Sequence, residues 1–567
     1  MPFQIVSRWT ILAPLIAVFS TFSLYAFAED LQIDRFERTA ICGGLVQPME
    51  MEIAPDGQIF LIELGGTVKL IDPQTRLSTV VGKLEVTTAQ ENGLIGLALD
   101  PNFAANHWVY LQYSPPDFSG QRISRFDFRD NQIDLASEKR LFSYEEQRRE
   151  CCHHAGSIEF GPDGNLYIGT GDNTNPFNDS EGFAPLDERP DRQPWDAQRS
   201  AANTKSYNGK VLRIHPEQDG TYSIPDGNLF PKDGSVGHPE IFVMGCRNPW
   251  RTSVDQKTGI LYWGDVGPDA GQHGKRGSRG YDEINQAPTA GNYGWPSFIG
   301  NNSAYPQVNF STGEIGMPQD PMAPLNQSVN NTGSKQLPPA RPAMIYYPAA
   351  ASEVFPEVGT GGRTACAGPV YHFDAKSASA TKFPAEYDST LFAFEWSRHW
   401  IMAVHLDADS NIQRLERFLP DMKFVRPIDL RFDKNGALFV IEYGETWGFN
   451  PDAKLVRFDE PGVYTIQLVV KDSSGSKAIA TLPAVVGNAV PKVEFLSPRD
   501  GDFFTPGKPI AYRLVVRDRE DGTSDIGEAE DDNAKFIDAT APSRLFVEAV
   551  PVNTDPTTDA IAWNDKR

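Results

Sequence analysis

The stretch Ile158–Ile168 reads IEFGPDGNLYI: an apolar start, a polar turn on Pro-Asp-Gly, then an alternating strand. The same unit recurs at Ile53–Ile62 (IAPDGQIFLI), Val254–Trp263 (VDQKTGILYW) and Leu430–Ile441 (LRFDKNGALFVI). Looser copies run over Leu97–Tyr113 and Tyr387–Val404, which makes six. Several are followed by a closing strand: TVKLID from Thr67, RISRFDF from Arg122, KVLRIHP from Lys210 and KLVRFD from Lys454. Alternating strands joined by Asp-Gly turns are hairpins, because glycine supplies the positive φ that a tight turn requires. One hairpin unit repeated at irregular spacing fits the blades of a β-propeller with long insertions. A β-sandwich would explain the strands but not the recurrence of one unit.

The insertions are Gly/Pro/Asn-rich, notably Asn173–Ser206 and Asn285–Pro342. Loops this long inside a compact domain usually carry function, and in a propeller they can gather over one end of the central channel. Near Phe458 the pattern changes. PGVYTIQLVVKDSSG (Pro461–Gly475) reads as a strand pair with a polar turn, and Pro491–Gly522 as further sandwich strands. The chain is therefore expected to be all-β: a six-bladed propeller over 29–458, then a small β-sandwich-like region. Asp525–Asp532 and the polar end after Val552 read as loosely ordered.

At the N-terminus, Arg8 precedes an apolar run from Trp9 to Phe27 that closes on Ala26-Phe27-Ala28. That is the pattern of a signal peptide over 1–28, with an uncleaved anchor as the alternative. A periplasmic or secreted protein, not integral to the membrane after cleavage, is the expectation. The formal charge of −23 disfavours a nucleic-acid partner. Five cysteines are an odd number, so one thiol at least stays free or pairs between chains.

Candidate chemistry sits at the edges of the repeats. Cys151-Cys152-His153-His154 precedes one unit. Four neighbours alternating in direction cannot easily surround one zinc ion, so a histidine base near the channel mouth is the better reading; a structural histidine is the bland one. Export and proximity to this segment also suggest a disulfide between Cys151 and Cys152. Arg247-Asn248 offers a rigid guanidinium fork and a neutral amide for carboxylates or quinone oxygens, against the bland reading of a surface turn. Gly267-Pro268-Asp269 is a turn whose carbonyls suit a hard cation such as calcium. No GxGxxG, HExxH, GxSxG or CxxCH motif is present, which leaves nicotinamide, zincin, α/β-hydrolase and c-type haem chemistry without support.

These segments, in this order, resemble the glucose/sorbosone dehydrogenase family of soluble PQQ-dependent sugar dehydrogenases. The landmarks are ENGLIGLALDPNF (Glu91–Phe103), CCHHAGSIEFGPDGNLYIGTGDN (Cys151–Asn173), NGKVLRI (Asn208–Ile214) and GCRNPW (Gly245–Trp250). GPD (Gly267–Asp269), RGYDEIN (Arg279–Asn285), GNYGWP (Gly291–Pro296) and FVRPIDLRF (Phe424–Phe432) continue the series. The resemblance implies a six-bladed propeller with PQQ and calcium as cofactors. It implies a catalytic base at His153, cofactor contacts at Arg247, Asn248 and Arg426, and calcium on the carbonyls of Gly267 and Pro268. Tyr293 and Trp295 fall in the motif whose aromatics flank the substrate entrance. Glu91 stands where the family has a cofactor-contacting glutamine. Arg398 stands in for a cofactor lysine, and Cys152 replaces an acid that contacts sugar. The tail resembles part of a PKD domain (459–489) and part of an immunoglobulin-like module (490–567). The activity implied is oxidation of a sugar's anomeric carbon, with electrons passed to an external acceptor, a cytochrome or a quinone. Two rival readings are a cofactor-free propeller that binds carbohydrate or protein, and a calcium-dependent propeller lactonase or esterase.

Overall fold

The computed structural model describes residues 36–379 and 381–459 in full and, beyond them, only the backbone of the strands from Val463–Lys471 to Phe546–Val552. The signal-peptide call over 1–28 lies outside the described residues. So do the side chains of the PKD-like and immunoglobulin-like calls.

Six sheets, antiparallel apart from one parallel pair in the third (Ile241–Met244 with Gly291–Asn292), form the blades of a propeller. Their innermost strands are Pro48–Ile53, Leu94–Leu99, Ile158–Phe160, Pro249–Val254, Ala365–Tyr371 and Pro427–Phe432. Each packs against the next, and the last returns to the first. Five of the six sequence repeats mark the first hairpin of their blade. The sixth, Tyr387–Val404, covers the second hairpin of blade 5, Thr390–Glu395 with Trp400–Leu406. The inner strand of that blade, ACAGPVY, carries Gly-Pro and a register shift, which hides its alternation. The hairpin glycines close their turns at positive φ: Gly57 at 94°, Gly164 at 75°, Gly259 at 74° and Gly436 at 86°.

The second strands, such as Ile59–Glu63 and Leu166–Thr170, are buried along their whole length because a neighbouring blade covers each face. Outer strands such as Ser78–Lys83 are largely exposed and polar. The outermost strand of blade 6 is the N-terminal Glu37–Gly43, paired antiparallel with Lys454–Asp459. The ring is thus closed by joining both ends of the domain in one sheet, which covers an edge that would otherwise stay open.

Arg251 fixes the centre of the ring. It is fully buried and donates to the carbonyls of Met49, Gly156, Trp250 and Ile428, in four different blades. Those carbonyls all lie at the start of, or just before, their inner strands. The inner strands of these blades therefore begin at one level and run the same way. Below Arg251, Glu50 accepts from Leu97 N–H and the Ser157 hydroxyl. Arg431 pairs with Glu52, Glu159 and Asp429. Charged groups bonded to one another fill the channel, as buried charges must be.

Candidate active site

The start of the inner strands defines one mouth of the channel. Glu91, His153, Arg247-Asn248 and Arg426 all come shortly before inner strands, which begin at Leu94, Ile158, Pro249 and Pro427 in blades 2, 3, 4 and 6 respectively. Asp172 and Gly267-Pro268 immediately follow the second strands of blades 3 and 4, which end at the same level because they run antiparallel to the first.

His153 is 4% exposed, and its Nδ1 lies 2.7 Å from Asp172 Oδ1. The Asp172 carboxylate is fully buried; it also accepts from Thr174 N–H at 3.0 Å and from the Trp295 indole at 2.8 Å. An acceptor on Nδ1 fixes the tautomer with the proton there and leaves Nε2 as a free base. Gly171 permits this closeness, since a Cβ there would stand 2.1 Å from the His153 carbonyl oxygen.

His154 goes elsewhere. It is wholly buried, with Nδ1 2.9 Å from Glu146 Oε2 and Nε2 facing Asn92 at 3.3 Å. Burial opposes its protonation, but the Glu146 carboxylate outweighs that and raises its pKa. The two histidines diverge for a reason other than strand alternation. Residues 151–157 are not strand, and His153 and Ala155 sit at φ 56° and 51°. Left-handed conformations at non-glycine residues cost energy and tend to collect at functional sites.

Asn248 Oδ1 accepts from Ala155 N–H at 2.9 Å, which ties blade 4 to the histidine segment and leaves the amide Nδ2 as a free donor. Asp172 N–H donates to the Arg247 carbonyl at 2.8 Å. The Arg247 guanidinium donates through Nη1 to the Val266 carbonyl at 2.7 Å, while its Nε is buried without a partner. Beneath it Asp265 accepts the backbone N–H groups of Arg247 and Asn248. Burial pushes Asp265 up to about 7, against those bonds and the Arg247 charge. Cys151 and Cys152 are joined in a disulfide next to His153, and Cys42, Cys246 and Cys366 are free thiols.

The remaining expected residues divide. Glu91 accepts His154 N–H at 3.1 Å. Arg426 lies over the Trp396 ring at 4.0 Å and donates from Nε to the Glu445 carbonyl, with its terminal nitrogens unengaged. Arg398, expected to hold the cofactor, commits its guanidinium to the carbonyls of Pro348, Val358, Gly359, Gly361 and Gly362, which leaves it no donor. Tyr293 and Trp295, expected at a substrate entrance, are 5% and 2% exposed. Tyr293 packs edge-on against Trp263 with its hydroxyl on the Gln286 carbonyl, and Trp295 supports Asp172 from behind. Both anchor the insertion after residue 287. That insertion also bonds to the earlier one, through Asn326 to the carbonyls of Gln198 and Ala202, and through Ser328 to Asp196.

Sequence reasoning missed Asp172 and Arg363. The first had a signal in GTGDN at the end of a second strand; the second had none. Arg363 lies just before the inner strand of blade 5 and donates from Nη2 to the Pro268 carbonyl at 2.7 Å.

PQQ, a planar quinone with three carboxylates, fits the mouth. Arg247, with its buried unpartnered Nε, Arg426, with two free nitrogens, and the Asn248 amide supply the donors such an anion needs. Calcium on Gly267 and Pro268 does not fit as the residues stand, because guanidinium groups already hold the carbonyls of Val266 and Pro268 on either side of Gly267. Among the described residues no helix is long and apolar enough to cross a membrane.

Fold and mouth together define a six-bladed propeller with a histidine–aspartate pair beside Arg247 and Asn248. The chain belongs to the glucose/sorbosone dehydrogenase family, which it matches over residues 45–335. It is 27% identical to quinoprotein glucose dehydrogenase B of Acinetobacter calcoaceticus, over 49% of this chain and 56% of that protein. It is 28% identical to the Hedgehog-interacting protein of Homo sapiens, over 38% of this chain and 31% of that one. The chain thus spans little more than half of the first curated relative and a third of the second. In structure it is similar to the soluble aldose sugar dehydrogenase of Escherichia coli, with a TM-score of 0.51 at 19% identity, over 75% of this chain and 99% of that one. That likeness concerns the fold alone.

Proposed function

We propose that this protein is an exported quinoprotein dehydrogenase that oxidises the anomeric carbon of an aldose and passes the electrons to an external carrier, a cytochrome or a quinone. The observation that carries the reading is the His153–Asp172 pair, set with a free Nε2 beside Arg247 and Asn248. Family membership and the likeness to a quinoprotein glucose dehydrogenase support it.

Bound at the mouth, PQQ supplies a two-electron quinone acceptor for hydride from the sugar. His153 Nε2 takes the proton of the anomeric hydroxyl, and Asp172 stabilises the imidazolium that results. Arg247 and Arg426 would hold the cofactor's carboxylates, and Asn248 would donate its free amide. The Trp295 indole donates to the second oxygen of Asp172 and holds the carboxylate aimed at Nδ1. Calcium, expected from the sequence, is left out of this reading because of the guanidinium on Pro268.

The test is spectroscopic. The purified chain, titrated with PQQ, gains a quinone absorption band that excess aldose bleaches. A protein that binds PQQ but is not reduced by any aldose sinks the substrate assignment. A second reading, a propeller that binds carbohydrate or protein without a cofactor, draws support from the likeness to the Hedgehog-interacting protein. It predicts no quinone band at all.

A further inference from the structure

The turn Gly267-Pro268 is built with unusual closeness. A Cβ on Gly267 would stand 1.6 Å from the Tyr281 carbonyl oxygen, and a Cβ on Gly280 would stand 1.6 Å from that of Pro268. Two glycines are thus needed to bring the Pro268 carbonyl where it is. What meets it there is the Arg363 guanidinium, whose side chain is 8% exposed. Its other terminal nitrogen lies 3.2 Å from Asp282, a wholly buried carboxylate. Asp282 in turn accepts Gly267 N–H at 3.0 Å and Ala365 N–H at 2.9 Å. Asp269 adds a second carboxylate 3.7 Å from Nη2. Arg363 therefore has one carbonyl as a hydrogen-bond partner and two carboxylates as ion-pair neighbours, its Nη1 lying buried without a hydrogen bond, and Asp282 fastens the strand after Arg363 to the turn that it caps.

A divalent ion on the Gly267 and Pro268 carbonyls would share the second of them with a fixed positive charge. Arg247 stands on the other side of Gly267, on the Val266 carbonyl. Calcium prefers six to eight oxygen ligands, and its attraction to them falls when cations are already seated on those oxygens. We propose that Arg363 is the resident cation of this site: it occupies the Pro268 carbonyl in place of calcium and supplies the positive charge beside the cofactor, so that PQQ binds without a divalent metal. This rests on the quinoprotein reading above. It makes Arg363 a positioning and charge-supplying residue.

The experiment measures PQQ affinity of the full chain by fluorescence titration, in excess EDTA and in millimolar calcium. The wild type is expected to bind equally in both, within roughly twofold. Arg363→Met is expected to bind about tenfold or more weakly in EDTA and to be restored by calcium. Arg363→Lys, which keeps a charge, is expected to fall between the two in EDTA. Without cofactor, calcium should leave the wild-type melting temperature unchanged. Wild-type PQQ binding that collapses in EDTA and returns with calcium overturns the proposal. So does an Arg363→Met protein that binds PQQ in EDTA as well as the wild type. If the methionine variant does not fold, the wild-type comparison decides alone. Failure of the wild type to bind PQQ under either condition removes the quinoprotein reading and this inference with it, whereas calcium-dependent binding removes only the inference.

Discussion

His153 and His154 are adjacent, yet the fold gives them different work. His153 meets Asp172 and keeps Nε2 open, while His154 is enclosed by Glu146 and Asn92. His153→Ala is expected to fold, bind PQQ and lose roughly 10²–10⁴-fold in kcat, the usual worth of a positioned base. Asp172→Asn should lose kcat over the same range, because an amide no longer stabilises the imidazolium. His154→Ala should keep kcat within a few-fold but lose about 3–5 kcal/mol of stability, since the buried Glu146 carboxyl loses its His154 partner and keeps only the Gln121 amide. Steady-state kinetics and denaturant unfolding of the three variants separate these roles; a dead but fully stable His154 variant would contradict the assignment. The pH dependence adds a sign. A histidine whose folded pKa is raised binds its proton more tightly when folded. Its contribution is complete below the unfolded value of about 6.5 and is lost as pH rises through the higher folded value. His154→Ala should therefore flatten the fall in stability above neutral pH.

At the scale of elements, closure of the ring depends on Glu37–Gly43. The strand is short and partly exposed, but the residue before it is an anchor. Phe36 is 2% exposed and packs on Phe383 at 4.5 Å and Phe418 at 5.0 Å, both from blade 5. Arg38 pairs with the buried Glu442 of blade 6. Phe36→Ala should cost about 3–5 kcal/mol, the usual loss for removing a buried phenylalanine. Urea unfolding checks it, and a cost below about 1 kcal/mol would show that the closing strand is held by its backbone bonds alone. The insertions are elements of another kind. They have little regular structure and are fixed by polar ties. Lys210, buried at the start of a blade 3 strand, donates to the carbonyls of Ser200, Ala201 and Asn208 at 2.7–2.9 Å and so pins the return of the first insertion.

Across the whole molecule, the buried carboxylates give the stability curve its slope. Burial raises Glu50 to about 7, and Glu283 and Glu395 to about 8. Each therefore binds a proton more tightly in the folded state. Their contribution is complete below the unfolded pKa of about 4.3 and drains away as pH rises through 7 and 8. Asp187 and Asp255, held low despite burial by hydrogen bonds from Arg189 and His372 respectively, lose theirs only on the acid side. Lys210, lowered by burial to about 7, works in the opposite direction only above that pH. Between pH 5 and 7 the raised carboxylates are opposed only by His238 and His399, whose pKa values burial lowers, and the charge of −23 adds self-repulsion of the same sign as the carboxylates. The melting temperature should peak near pH 5 and fall toward pH 7 by calorimetry. A rise across that interval would mean that these carboxylates are ionised and compensated when buried.

The repeat IEFGPDGNLYI and its copies determined the all-β propeller by themselves, because a hairpin with an Asp-Gly turn is a local structure whose period survives in the sequence. His153, Arg247 and Asn248 stand out as polar residues shortly before strands that can be read directly, whereas Arg426 is expected only from the family resemblance. Local pattern could not say where a side chain turns next. Arg398 has the right charge and neighbourhood, but five backbone carbonyls of a nearby loop consume its donors. Tyr293 and Trp295 read as entrance aromatics, and packing buried both. Asp172 reaches His153 from 19 residues away, and Trp295 reaches Asp172 from 123. Arg363 reaches Pro268 from 95 residues away, with no motif to announce it. The first of these pairings joins the two ends of one blade 3 hairpin; the other two are contacts between neighbouring blades and insertions, which exist only because the ring closes. The sequence by itself determined the blades and the end of the channel where chemistry collects; the tertiary structure decided which groups face one another there, since long-range hydrogen bonds and the burial of charge are settled only when all six sheets share one axis.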